Sequence, residues 1–258
     1  MQSAICSGKR WTVKRRDALL AALALLLLWQ ILAMIVDLPI LPAPLEVFGI
    51  FLREMGNGLP RHFLSSLWRV FAGMALSVLV AVPVGLAIGG SRSLSRFFSP
   101  LIYLLYPIPK VVFVPVVILF LGIGDIAKIT IMFLILFFQI VVLVRDQAAG
   151  LPPQLIQSLH SLGAGRRALF RFIYLPASLP AILTALRQSI GTAVAVLYIT
   201  ELSATKYGLG YYIYYNGSTL LDYPAMYAGV VAMSLLGLGM YFTVDWLERK
   251  WCAWKFVS

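Results

Sequence analysis

Residues Pro152–Pro176, PPQLIQSLHSLGAGRRALFRFIYLP, form the one long polar and basic interruption in the apolar body of the chain. Pro152 and Pro153 open a helix but cannot lie inside one. Leu155, Leu159 and Leu162 then recur at i, i+4 and i+7, with Ile156 beside them, and Gln154, Gln157, Ser158, His160 and Ser161 lie off that stripe. Gly163, with Gly165 behind it, marks the stop. A second short helix is expected from Arg166 to Tyr174, with Leu169, Phe170 and Ile173 on its apolar side and Arg166, Arg167 and Arg171 on its polar side, ended by Pro176. The pattern describes an elbow of two short helices. A basic amphipathic segment lying on anionic headgroups is the other reading. The outer face of the first helix is polar without being basic, which suits a protein partner better than a lipid surface.

Outward from this stretch the chain reads as membrane. Of its 258 residues 61% are hydrophobic and 12% charged, and the mean hydropathy is +0.90, against about 45–50% apolar and about 25% charged in soluble domains. Runs near the roughly 20 residues that cross hydrocarbon occur at Ala18–Val36, Leu64–Ile88, Leu101–Leu121, Ile126–Val144, Leu179–Leu202 and Ala225–Leu247, so an all-α integral membrane protein of about six transmembrane helices is expected. Residues 1–17 are a basic N-terminus, 18–247 one membrane domain holding the 152–176 loop, and 248–258 a basic tail. The first apolar run exceeds a signal peptide's, and no convincing cleavage site follows it, so it is read as a retained span. Lys9, Arg10, Lys14, Arg15, Arg16, Arg92, Arg96, Arg145, Arg166, Arg167, Arg171, Arg249, Lys250 and Lys255 fall on the side of the termini, against Arg53, Arg61, Lys128 and Lys206 on the other. The positive-inside rule therefore places both termini and the elbow in the cytoplasm.

The net charge of +11 comes from clusters beside apolar runs, which argues for topology and against nucleic acid. Cys6 and Cys252 stand at opposite ends of the chain, and His62 and His160 fall on opposite sides of the membrane, so no metal or disulfide framework is indicated. No phosphate loop of the form G-x-x-x-x-G-K-S/T is present, and no span places acid, base and nucleophile together; a chain that is not itself an enzyme is expected.

Several intramembrane residues stand out. Pro107 and Pro109 break the third run beside Lys110, which is either functional or engaged with the carbonyls the break exposes. Gln139 in the fourth run suits an interhelical hydrogen bond. The fifth run carries Arg187, Thr192, Tyr198 and Glu201; Arg187 and Glu201 lie about four turns apart and cannot pair. Arg187 is expected either to bond backbone carbonyls or to meet a solute, and Glu201, near the outer boundary, to form a surface salt bridge with Lys206. Pro107, Pro109, Lys110, Gln139, Arg187, Tyr198 and Glu201 are the candidate pathway residues. Two buried cations, Lys110 and Arg187, favour an anionic solute. An ion-coupled carrier using Lys110, Arg187 and Glu201 is the alternative. The stretch Leu41–Val47, LPAPLEV, reads physically as a plain connector.

The elbow resembles the cytoplasmic coupling loop of permease subunits of bacterial ATP-binding-cassette importers: Gly163 stands at its glycine, Phe170 at its aromatic and Leu175-Pro176 at its closing pair. Gln157, Ser158 and Leu159 stand where that loop carries Glu-Ala-Ala. The resemblance runs over nearly the whole chain and narrows to the nitrate, sulfonate, taurine and bicarbonate type through LPAPLEV at 41–47, Pro107-Ile108-Pro109, Gly122-Ile123-Gly124 and Gly208-Leu209-Gly210. It implies a type I importer permease fold in the bacterial inner membrane and a homodimer moving solute by alternating access. It also implies ATPase subunits, with ATP and Mg held there and no cofactor in this chain, and an extracytoplasmic solute-binding protein. The ATPase-coupling residues it implies are Gln157, Ser158, Leu159, Leu162, Gly163, Arg166, Phe170 and Pro176.

Overall fold

In the computed structural model, which describes residues 15–161, 163, 165–202 and 205–256, every regular element among those residues is helical. Helix α1 (Arg15–Val36) is apolar on all sides and touches the rest chiefly through Trp29, whose indole donates to the Pro42 carbonyl at 3.1 Å. The expected connector after it contains α2 (Pro44–Met55). Ala43 is extended, and Pro44 takes the first helical position, where its missing N–H costs nothing. Val47 on α2 is buried.

Helix α3 (Leu59–Gly89) is followed by α4 (Arg92–Leu105), started by Ser91, whose hydroxyl accepts from the Leu94 N–H. The span Leu101–Leu121 is broken at the prolines, as expected: α4 ends at Leu105, and after Tyr106–Pro109 a 3₁₀ turn (Lys110–Phe113) leads into α5 (Val114–Leu121), the two halves bent by 78°. Prolines at 107 and 109 remove two donors within three residues, which a continuous ladder does not survive.

Helix α6 (Asp125–Ala149) returns, and the elbow begins with α7 (Pro153–Ser161). Gly163 has φ +76°, the left-handed region that favours glycine. The second arm departs from expectation. From α8 (Arg166–Leu169) the chain passes through a π turn (Phe170–Tyr174) into α9 (Leu175–Leu202), and helix continues over Arg167–Leu202, 36 residues. Pro176 does not end it: the wide turn, in which the Leu175 N–H reaches back to the Phe170 carbonyl, accommodates the proline's missing donor. The last outer loop is also helical, as α10 (Leu209–Tyr214) and a π turn (Tyr215–Leu220), before α11 (Tyr223–Trp251). Among the described residues five helices are long and apolar enough to span a bilayer, and six spans result if the bent α4–α5 pair counts as one.

The core is built on α3 against α6. Gly73, Ser77, Ala81, Gly85 and Gly89 recur every fourth residue and form a ridge of small side chains on one face of α3. A Cβ at Gly85 would sit 2.9 Å from Val144 and 3.0 Å from the Val141 carbonyl, so the two backbones meet there. Gly85→Leu is therefore expected to destabilise the fold by about 1–3 kcal/mol, read as a lower unfolding midpoint in detergent. Gly49→Leu, at a position with open space around its Cα, should leave that midpoint nearly unchanged.

Candidate functional site

At the bundle end opposite the elbow, α3, α6, α9 and α10 converge on Glu201, which is fully buried. Its carboxylate accepts from Ser66 Oγ at 2.8 Å, from Arg69 Nη1 at 2.6 Å and from the Gly210 N–H at 2.8 Å. Arg69 also donates to Asp125 Oδ1 at 2.8 Å and to the Tyr207 carbonyl at 2.7 Å. Ser66 Oγ accepts the Leu209 N–H at 2.7 Å, and His62 Nδ1 lies 2.9 Å from the Gly208 carbonyl. These bonds satisfy the first turn of α10 with side chains from α3 and α9. They also account for Gly208 and Gly210. Gly208 has φ +146°, and a Cβ there would meet the Glu201 carboxylate at 2.5–2.6 Å; one at Gly210 would meet Glu201 Cβ at 2.7 Å.

Glu201 therefore forms no surface bridge to Lys206, which is exposed; its partner is Arg69. Ser66 and Arg69 are the residues the sequence reading missed. Their signal was available: an arginine inside an apolar run requires a partner, and Ser66 and Arg69, three apart, share a helix face.

Arg187 is engaged by the last helix and not by backbone carbonyls. It pairs with Asp245 at 3.3 Å and with Glu248, and the Tyr241 ring lies 5.7 Å away. Asp245 and Glu248 share a face of α11, so one guanidinium ties α9 to α11. Arg187, Lys110 and Glu201 thus belong to three separate networks. Tyr198 packs its half-buried ring against the core.

Pro107, Pro109, Lys110 and Gln139 do come together, with Phe138 and Thr192, around a cavity of about 550 Å³ between the helix break, α6 and α9. The Lys110 ammonium donates to the carbonyls of Leu105 and Tyr106 at 2.9 Å each and of Ile108 at 3.1 Å, and stands 4.5 Å from the Phe138 ring centre. It supplies the donors that two prolines withhold. Gln139 makes no interhelical bond among the described residues; its side chain faces this cavity.

On the elbow, Gln157 and Ser158 are exposed, with Ser158 Oγ donating to the Gln154 carbonyl at 2.8 Å and Ser161 Oγ to that of Gln157 at 3.1 Å. Leu159 and Arg166 are placed by backbone, in α7 and at the start of α8, and Leu162 lies outside the described residues. Phe170 and Pro176 are exposed, while Leu169 and Ile173 are buried and root the second arm in the bundle.

A helical membrane bundle with this projecting elbow agrees with the match of residues 47–251 to the binding-protein-dependent transport system inner membrane component family. The chain belongs to that family. An ABC transporter permease protein of Methanocaldococcus jannaschii is 32% identical over 243 residues, 92% of this chain and 90% of the relative. The taurine transport system permease protein TauC of Escherichia coli is 29% identical over 255 residues, 95% of this chain and 92% of TauC. The solved inward-facing MetNI methionine ABC transporter shares the fold, with a TM-score of 0.65 at 21% identity over 75% of this chain and 95% of that chain. This protein is thus an ABC importer permease of the binding-protein-dependent type.

Glu201→Gln in this permease is expected to cost about 3 kcal/mol or more, because it leaves the Arg69 guanidinium buried with half its compensation. Denaturant unfolding in micelles checks this. Adding Arg69→Met should return part of the loss, giving a double variant more stable than the sum of the single ones.

Proposed function

We propose that this chain is the translocating subunit of an ATP-driven importer for a small anionic solute of the sulfonate, taurine or nitrate kind. It works as a homodimer with two cytoplasmic ATPase subunits, which hold ATP and Mg, and an extracytoplasmic binding protein delivers the solute. The observation that carries this reading is the elbow: α7 stands out from a membrane-spanning bundle with exposed polar groups, and its second arm is continuous with a span. The excess of lysine and arginine on the side of the elbow and termini supports a cytoplasmic elbow.

The mechanics follow from that continuity. A displacement applied by the ATPase to the elbow's second arm reaches α9 along the continuous helix Arg167–Leu202, and α9 carries Thr192 on the cavity wall. The Arg187 pair with Asp245 and Glu248 makes α11 move with it. Gln157 lacks a carboxylate, so docking rests on shape and on hydrogen bonds from the amide. An ion-coupled relay finds no support in residues separated into three networks.

Gly163→Val tests the reading. A β-branched residue at φ +76° costs roughly 1–2 kcal/mol of local backbone energy, with no neighbour within 4 Å to disturb. The variant is expected to insert in the membrane normally but to lose co-purification with its ATPase and ATP-dependent uptake, whereas Gln157→Ala should reduce both less than about tenfold, one hydrogen bond's worth. Association and uptake at full level in the Gly163→Val protein would sink the coupling role.

A further inference from the structure

We infer that the cavity beside the broken α4–α5 span is the solute's anion-binding station, where Lys110 supplies the charge and Gln139 and Thr192 supply the hydrogen bonds. This rests on the importer reading and narrows it to a place and a ligand class: a small organic monoanion with a sulfonate or carboxylate head.

The first argument is a charge count. Arg69 is balanced by Asp125 and Glu201, Arg187 by Asp245 and Glu248, and Arg145 by Asp146 at 2.6 Å. Lys128 lies within electrostatic reach of Asp125 and Glu201. Among the described residues Lys110 forms no ion pair. Its three carbonyl partners take up the ammonium protons but bring no negative charge, so the site keeps a net positive charge at membrane depth. Such a charge is expensive unless a cavity or a ligand relieves it, and this one lies on a cavity wall.

The second argument concerns the other polar groups on that wall. Gln139 and Thr192, from α6 and α9, make no hydrogen bond to another described residue. Two unspent donors beside one uncompensated cation match the needs of an oxyanion, which takes hydrogen bonds at several oxygens. The remaining wall, with Ile135, Val196 and Ile199, is apolar and suits a short organic tail. The volume falls in the range of small-molecule sites. Because Lys110 also holds the break in α4–α5, an arriving anion would loosen its hold on the carbonyls, which places solute binding at the hinge of a bent span.

The test uses the full-length permease in detergent with Cys6→Ser, Cys252→Ser and Ile199→Cys, which puts a thiol on the apolar wall. Sulfonatoethyl and trimethylammonioethyl methanethiosulfonate, one anionic and one cationic, are compared by labelling rate. The anionic-to-cationic rate ratio at position 199 is expected to exceed that of a Lys206→Cys control by about tenfold, as for a focused cationic cleft. Methanesulfonate should slow the labelling. Lys110→Met should bring the ratio back to the control value and Lys110→Arg should preserve it; the second variant guards against a collapsed break. Gln139→Leu should weaken methanesulfonate protection while leaving the ratio. An unchanged ratio in Lys110→Met, or labelling by both reagents at 206 and by neither at 199, overturns the proposal. No ATPase is needed, so loss of the importer reading and loss of this site give different results.

Discussion

Hydrocarbon offers no hydrogen bonds, so wherever this chain departs from regular helix the missing partners have to come from elsewhere in the protein. Three departures show how this is met. At Pro107 and Pro109 the freed carbonyls are taken by the Lys110 ammonium. At Pro176 the wide π turn keeps the ladder going. At the start of α10 the N–H groups of Leu209 and Gly210 are received by Ser66 and Glu201. The polar residues of the spans are to a large extent the hydrogen-bond partners of these irregular points, and their positions follow from where the helices break.

This arrangement divides the bundle into parts that hold and a part that yields. The small-residue ridge of α3 against α6 and the Glu201 cluster bring backbones and charges close enough that a change of spacing would expose unpaired groups. The α4–α5 break is different. Its two arms pack on the bundle through apolar contacts such as that of the buried Val114, while the turn between them is held by one flexible lysine side chain bonded to that same turn, with a cavity beside it. A transporter needs a region where two arrangements differ little in energy, and the break meets that requirement better than the ridge or the cluster.

Much of the architecture was legible beforehand. Hydrocarbon thickness sets the length of an apolar run, so the spans could be read from hydropathy, and the elbow's first arm and its stop at Gly163 followed from periodicity and glycine's access to positive φ. The capping of carbonyls by Lys110 was one of two open readings. Other features were misread because a local rule met a tertiary circumstance. Pro176 looked like a stop, since the rule for proline assumes a regular α-turn before it. LPAPLEV looked like a connector, since Pro44 at the first position of a helix cannot be told from a proline that ends one without knowing what Val47 packs against.

The charged residues divide along the same line. From the sequence alone it follows that a lysine, an arginine and a glutamate inside spans need compensation, that Arg187 and Glu201 are too far apart to compensate each other, and that the chain is an all-helical membrane protein with a polar elbow. Only the tertiary structure decided who pairs with whom: Glu201 with Arg69 across 132 residues of chain, Arg187 with Asp245 and Glu248, and Lys110 with no carboxylate among the described residues. The reason is physical. Burial and periodicity are local properties that a run of residues carries with it. An ion pair depends on which helices become neighbours, and here that is set by the small-residue ridge of α3 and by the helix breaks.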